Sequence, residues 1–149
     1  MSREGRGLRP DDFPVRRTVT TRWSDNDSYG HLNNAVYYEI YDSVINAWLG
    51  EATGIATPDL PALGVVAASG CEYFGEVSFP EPVTVGLAVT RIGRSSVTYR
   101  LGVFPCGAGD LGDIAALGTW THVYVDPDTR RPVPIPDVVL EAIRPVVVS

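Results

Sequence analysis

The chain has 149 residues, of which 44% are hydrophobic and 20% charged. That is the usage of one ordinary globular domain, and it excludes a disordered chain. Lys and Arg number 12 against 18 Asp and Glu, a formal net charge of −6. This balance excludes a surface built to hold nucleic-acid phosphates, yet leaves room for a local arginine grip on a small anion.

Residues 1–14 are rich in Arg, Gly and Asp and read as a loose N-terminal arm; residues 15–149 read as a single domain. The arm has no apolar core, so it is no signal peptide, and no apolar run reaches the length of a membrane span. Val15–Trp23 alternates with a period of two, which predicts a half-buried strand, although Arg17 interrupts its apolar face. Ser24–Asn34 concentrates Asp, Asn, Ser and Gly, the residues of turns and helix caps. A helix follows over Ala35–Leu49, where Tyr37, Ile40, Tyr41, Val44 and Trp48 recur at helical spacing. Val36, Ile45 and Leu49 widen the stripe, so the helix is expected to be largely enclosed. Asn33 or Asn34 suits its N-cap and Gly50 its C-terminal stop.

Glu51–Gly64 reads as a loop and Val65–Ser78 as a strand region. Val83, Val85, Leu87 and Val89 share one face of the next strand; Gly93-Arg94 turns the chain; Val97, Tyr99, Leu101 and Val103 share a face of the strand after it. Pro105–Gly112 reads as a hairpin loop, Asp113–Val125 as the last strand, and Asp137–Ile143 as a short helix capped by Asp137. One early helix and then meandering strands define an α+β domain with an antiparallel sheet. Cys71 and Cys106 are too few for a disulfide framework and lack metal-ligand spacing, so a reducing cytoplasm is the expected setting.

Chemistry concentrates in Arg22-Trp-Ser-Asp25-Asn-Asp27-Ser-Tyr-Gly30-His31-Leu-Asn33-Asn34-Ala-Val-Tyr37-Tyr38. Carboxylates, a Gly, a His and two Asn lie between a strand and the start of the strongest helix. A helix N-terminus offers unpaired N–H groups and the positive end of the helix dipole, able to polarise a carbonyl or hold an oxyanion. A carboxylate just upstream can act on that carbonyl as base or nucleophile. The logic is acyl chemistry at a helix N-terminus.

This run resembles the R-x-x-D-x-D-x-x-G-H-x-N-N-x-x-Y signature of hotdog-fold acyl-CoA thioesterases of the 4-hydroxybenzoyl-CoA thioesterase-like group. Phe79-Pro-Glu-Pro-Val83, Ile92-Gly-Arg-Ser-Ser96, and Val123-Tyr-Val-Asp126 followed by Arg131-Pro-Val-Pro-Ile-Pro136 are similar to that group in order and spacing. The resemblance spans about residues 15–143. It implies a hotdog fold, a long central helix wrapped by a five- or six-stranded antiparallel sheet. It implies homodimers or homotetramers, with each active site at the dimer interface. It implies hydrolysis of an acyl-CoA to free acid and coenzyme A, with no metal or bound cofactor beyond the coenzyme A of the substrate.

Residue by residue, Asp27 corresponds to the catalytic carboxylate, and the N–H groups near Asn34 and Ala35 to the carbonyl-polarising donors. Arg94, Ser95 and Ser96 correspond to a region that contacts coenzyme A phosphates, with Arg91 and Arg100 flanking it. Asp25 reads as structural, pairing Arg22 or bonding turn amides, and Gly30 as a turn former. His31 is a candidate acid or base, although its position looks mainly structural. Tyr37 and Tyr41 belong to the core and are candidates for the acyl pocket. Glu72 is a weaker candidate carboxylate, His122 reads as a satisfied sheet residue, and Cys71 as a buried thiol. Two other functions stay open: a hotdog protein that binds acyl-thioesters without turnover, and an enoyl-thioester hydratase or dehydratase, whose motif differs from this one.

Overall fold

In the computed structural model, which describes residues 3–107 and 111–149, five strands form one antiparallel sheet. The strands are β1 (Val15–Val19), β2 (Leu63–Tyr73), β3 (Val83–Ile92), β4 (Ser96–Pro105) and β5 (Ala116–Val125), in the order β1-β3-β4-β5-β2. The helices are α1 (Arg3–Arg6), α2 (Asn34–Thr53) and α3 (Asp137–Ile143). The sheet holds α2 against one face. This is the α+β hotdog architecture that the motif implies, with five strands.

The period-two pattern accounts for the core. Val83, Val85, Leu87 and Val89 on β3 and Val97, Tyr99, Leu101 and Val103 on β4 are fully buried on the face toward α2. From α2 come Val36, Tyr37, Ile40, Tyr41, Val44, Ile45, Trp48 and Leu49, the stripe read from the sequence. Gly118 on β5 lets helix and sheet approach closely, since a Cβ there would stand 2.5 Å from Tyr41 Cε2. Arg17, the interruption in β1, reaches across to α2 and pairs with Glu51 at 2.6 Å. No helix among the described residues is long and apolar enough to cross a membrane.

The strand expected over Val15–Trp23 ends at Val19, and Trp23 opens a short 3-10 turn over Trp23–Asp25; four further boundaries differ from the sequence reading. First, α2 runs past Gly50 to Thr53 and ends at Gly54, whose φ of 72° is the left-handed conformation that favours glycine. Gly50 remains inside the helix, and its carbonyl accepts the Gly54 N–H at 3.0 Å. Second, β2 stops at Tyr73 rather than Ser78. The N–H groups of Phe74 and Gly75 both turn to the single carbonyl of Ala115, at 2.7 and 3.1 Å, which ends the ladder. Third, β5 begins at Ala116, and residues 108–110 of the expected hairpin loop lie outside the described residues. Fourth, Asp137 sits in the first turn of α3, and Pro136 holds the N-cap position.

The N-terminal segment, expected as a loose arm, carries a core residue. Phe13 is 1% exposed and its ring lies on Gly86 and Gly102, on the sheet face opposite α2. Phe104 meets it edge-on, with centroids 5.8 Å apart. At the far edge of the sheet, β2 has one strand neighbour, β5, and is largely exposed along its length despite its apolar sequence. Val65 and Val66 stand out there, 39% and 47% exposed.

Candidate active site

The segment after β1 is held by its own polar side chains. Asp25 is buried, and its carboxylate accepts the Arg22 backbone N–H at 2.8 Å and the guanidinium Nη2 and Nε at 2.8 and 3.0 Å. Its carbonyl accepts the Asn33 N–H at 2.9 Å. Asp25 is therefore the brace of the turn, as its sequence context suggested. Two residues on, Asp27 sits in a tight turn closed by the Gly30 N–H on its carbonyl at 3.1 Å, with Gly30 at φ 84°. The Asp27 N–H donates to the His31 carbonyl at 2.8 Å, and its Oδ1 accepts the Tyr29 N–H at 2.9 Å.

The segment just before β3 clamps this turn. The Leu32 N–H donates to the Val77 carbonyl at 2.7 Å, the Ser78 hydroxyl to the Gly30 carbonyl at 2.8 Å, and the Phe79 N–H to Asn26 Oδ1 at 3.0 Å. His31 turns its Nε2 to Glu76 Oε2 at 3.0 Å. The sequence reading singled out neither Asn26 nor Ser78, because it took the chain up to Ser78 as strand. Gly75, a poor strand residue, was the available signal.

At the start of α2, Asn33 is the N-cap, and its side chain accepts the Ala35 N–H at 2.9 Å. Ala35, expected among the carbonyl-polarising donors, is thus occupied by the cap. The Asn34 N–H, at the first helical position, is one of those a helix start leaves without an intrahelical acceptor. The Asn34 carbonyl accepts the Tyr73 hydroxyl at 3.3 Å, which ties the helix start to the end of β2. Below it, Tyr37 meets Tyr73 edge-on at 5.2 Å, and the Tyr41 hydroxyl lies 3.2 Å from Cys71 Sγ. Both Tyr37 and Tyr41 are core residues between α2 and the edge strand. Burial pushes the Tyr37 phenol up to about 12 and raises Tyr41, Tyr73 and the Cys71 thiol as well, so this cluster stays uncharged.

The turn of Arg94, Ser95 and Ser96 lies elsewhere. It joins β3 to β4 at the end of the sheet remote from Asp27. The ten residues of β3 span about 30 Å between the two ends. Arg94 and Arg91 are exposed there, and the Arg94 and Ser95 carbonyls accept the Ile135 and Tyr124 N–H groups at 3.0 and 2.7 Å. One chain therefore brings Asp27, His31, Asn34 and Ala35 together, but not with Arg91, Arg94, Ser95 and Ser96. His122 also departs from its reading as a satisfied residue: it is 2% exposed and its Nδ1 has no hydrogen-bond partner among the described residues. Among the described residues, no group of three or more His, Cys, Asp or Glu is set to hold a metal ion.

A carboxylate in a rigid turn, beside the open N–H end of a long helix wrapped by a sheet, defines a class of hotdog enzymes acting on acyl groups. Residues 21–143 match the Thioesterase-like superfamily, and the chain belongs to it. Among solved structures, the PA5185 protein of Pseudomonas aeruginosa PAO1 is similar at 36% identity and a TM-score of 0.87, over 94% of this chain and 96% of that one. A thioesterase of Thermus thermophilus, solved with coenzyme A and zinc, is 29% identical with a TM-score of 0.74, over 89% of this chain and 98% of that one. The uncharacterized protein YsmA of Bacillus subtilis is 24% identical over 88 residues, a stretch that spans 59% of each chain.

Proposed function

We propose that this thioesterase hydrolyses the thioester of an acyl-CoA, releasing the carboxylic acid and coenzyme A. The observation that carries the reading is the placement of Asp27, fixed by the Tyr29 and Gly30 N–H groups, immediately before the open start of α2. Asp27 takes a proton from water, and the hydroxide adds to the thioester carbon. The oxyanion that forms faces the Asn34 N–H and the positive end of α2. When it collapses the C–S bond breaks, and the sulfur leaves as the coenzyme A thiol with the proton Asp27 had taken. Direct attack by Asp27 on the same carbon, followed by hydrolysis of the anhydride, uses the same residues. His31 then acts by positioning, through its contact with Glu76. The reaction so written needs no metal, and coenzyme A enters as part of the substrate.

The remoteness of the arginine turn supports a shared site. An antiparallel two-fold pairing of β2 with its copy sets the Leu63 end of one strand against the Tyr73 end of the other. That pairing brings one chain's Asp27 toward the other chain's Arg91, Arg94, Ser95 and Ser96, which would hold the coenzyme A phosphates. A homodimer is the minimum working unit of this proposal, and both free cysteines suit a reducing cytoplasm.

The test is release of free thiol from a panel of acyl-CoAs. Asp27→Asn keeps the oxygen that accepts the Tyr29 N–H, so the turn stays folded while the base is lost. The expected fall in kcat is about a hundredfold or more, the scale of a removed general base. Unchanged turnover in Asp27→Asn would reject the assignment. Binding of acyl-CoAs without any thiol release would instead point to a carrier of acyl-thioesters.

A further inference from the structure

Asp27 rides on a small hairpin. Asn26 and Leu32 pair across its base, and residues 27–31 make the loop. Inside the loop the Asp27 carbonyl accepts the Gly30 N–H and its Oδ1 accepts the Tyr29 N–H. Those bonds fix the shape of the turn, but not where the turn stands in the molecule.

Its standing comes from the neighbouring segment 76–79, in which each residue gives the hairpin one contact. The Val77 carbonyl and the Phe79 N–H hold the two residues of the base, Leu32 and Asn26. Glu76 and Ser78 reach the loop itself. The Glu76–His31 contact lies on the surface, its side chains 73% and 38% exposed, and such pairs hold little. The Ser78 hydroxyl donates to the Gly30 carbonyl at 2.8 Å, and the Gly30 N–H in turn holds the Asp27 carbonyl. The segment that carries Ser78 is anchored to the rest of the fold. The Ala115 carbonyl fixes the N–H groups just before it, Val77 is 1% exposed in the main core, and Phe79 meets Trp23 edge-on with centroids 6.0 Å apart.

We infer that Ser78 is a positioning residue for the hydrolysis: its hydroxyl, through the Gly30 carbonyl, holds the Asp27 turn in register with the start of α2. This rests on the reading of Asp27 as base or nucleophile. Magnitudes separate a hydroxyl kept for catalysis from one kept for folding. The Ser78 bond is exposed, so water replaces the lost donor and its removal costs little stability. A displacement of about 1 Å in a reacting group, by contrast, can cost about a hundredfold in rate.

The experiment is a double-mutant cycle on thiol release from an acyl-CoA. Ser78→Ala is expected to lower kcat about tenfold or more and to leave KM within about twofold, the split of a lost transition-state alignment. Its thermal midpoint is expected to stay within about 5 °C of wild type. Ser78→Thr, which keeps the hydroxyl, is expected to recover most of the lost turnover. In the Asp27→Asn background no base is left to misplace, so adding Ser78→Ala is expected to change the residual rate by less than about twofold. Turnover in Ser78→Ala within about twofold of wild type, with Asp27→Asn slow, overturns the inference and leaves the reading of Asp27 standing. An equal loss in both backgrounds also overturns it, because Ser78 would then act apart from Asp27. Full turnover in Asp27→Asn overturns that reading, and the inference with it. Amide exchange followed by NMR gives a readout that needs no turnover. In Ser78→Ala the Tyr29 and Gly30 amides are expected to exchange about threefold faster or more, while the Leu32 amide, held by Val77, is unchanged. Unchanged exchange at Tyr29 and Gly30 overturns the inference whether or not any acyl-CoA is hydrolysed.

Discussion

Asp25 accepts three N–H groups of Arg22, while Asp27 gives one oxygen to the Tyr29 amide and keeps its turn beside the helix start. Resemblance sets the two carboxylates apart in the motif, and burial gives the physical difference, with Asp25 enclosed and Asp27 outside the buried set. Removing the buried acceptor should be felt as stability. Asp25→Ala is expected to lower unfolding free energy by about 1–3 kcal/mol, measured by urea titration, because the Arg22 N–H then loses its partner. Equal stability of the variant and wild type would mean that the turn holds without its brace. His122 makes a different prediction. Its pKa is depressed in the folded state, so on acidification the unfolded chain takes up the proton first. Its contribution is complete above about pH 6.5 and is lost as pH falls toward the folded-state pKa. The urea midpoint should therefore drop on going from about pH 7.5 to about pH 5.5, and drop less in His122→Val. Nothing in the sequence marked this histidine. Its unpaired nitrogen exists only because the strands around it carry Val97, Tyr99 and Gly64 to that spot.

The long helix was legible because its eight buried positions repeat at helical spacing. Its end was not. Gly50 and Gly54 are equally good stops by residue type, and the choice falls to packing beyond the helix. Gly54 has open space around its Cβ position, so the cost of a side chain there is conformational alone. Gly54→Ala is expected to destabilise by about 1 kcal/mol, seen as a lower thermal midpoint. Gly118→Ala belongs to another kind of cost, because its methyl would press on the Tyr41 ring. A loss of about 1–3 kcal/mol is expected there, the range of an overpacked core. The end of β2 was misread for a similar reason. Periodicity continues through the sequence, but the Ala115 carbonyl captures two successive N–H groups and closes the ladder.

At the scale of the molecule, the Asp27 turn and the arginine turn stand at opposite ends of one sheet. The antiparallel sheet around one helix could be inferred from resemblance, whereas the strand order and the distance between the two groups had to come from register. Net charge, −6 overall, says nothing of where Arg91 and Arg94 project. The edge strand offers the decisive lever. A Lys at an exposed edge position opposes strand pairing. Val66→Lys is expected to shift the protein toward monomer in analytical ultracentrifugation and to cut thiol release in parallel. A monomeric Val66→Lys with full activity would show that one chain suffices, and the shared site would be abandoned.

Phe13, seated on the two glycines, has a bearing on assembly as well. The middle of the outer surface of β3 and β4, at Gly86 and Gly102, is already occupied by the chain's own N-terminal segment. Two sheets stacked back to back through their centres would meet that segment, whereas the outer positions of β5 and β2, among them Thr119, Thr121 and Val65, lie beside it. A tetramer of that kind would have to meet off-centre, toward the side of the molecule that carries the exposed edge strand β2.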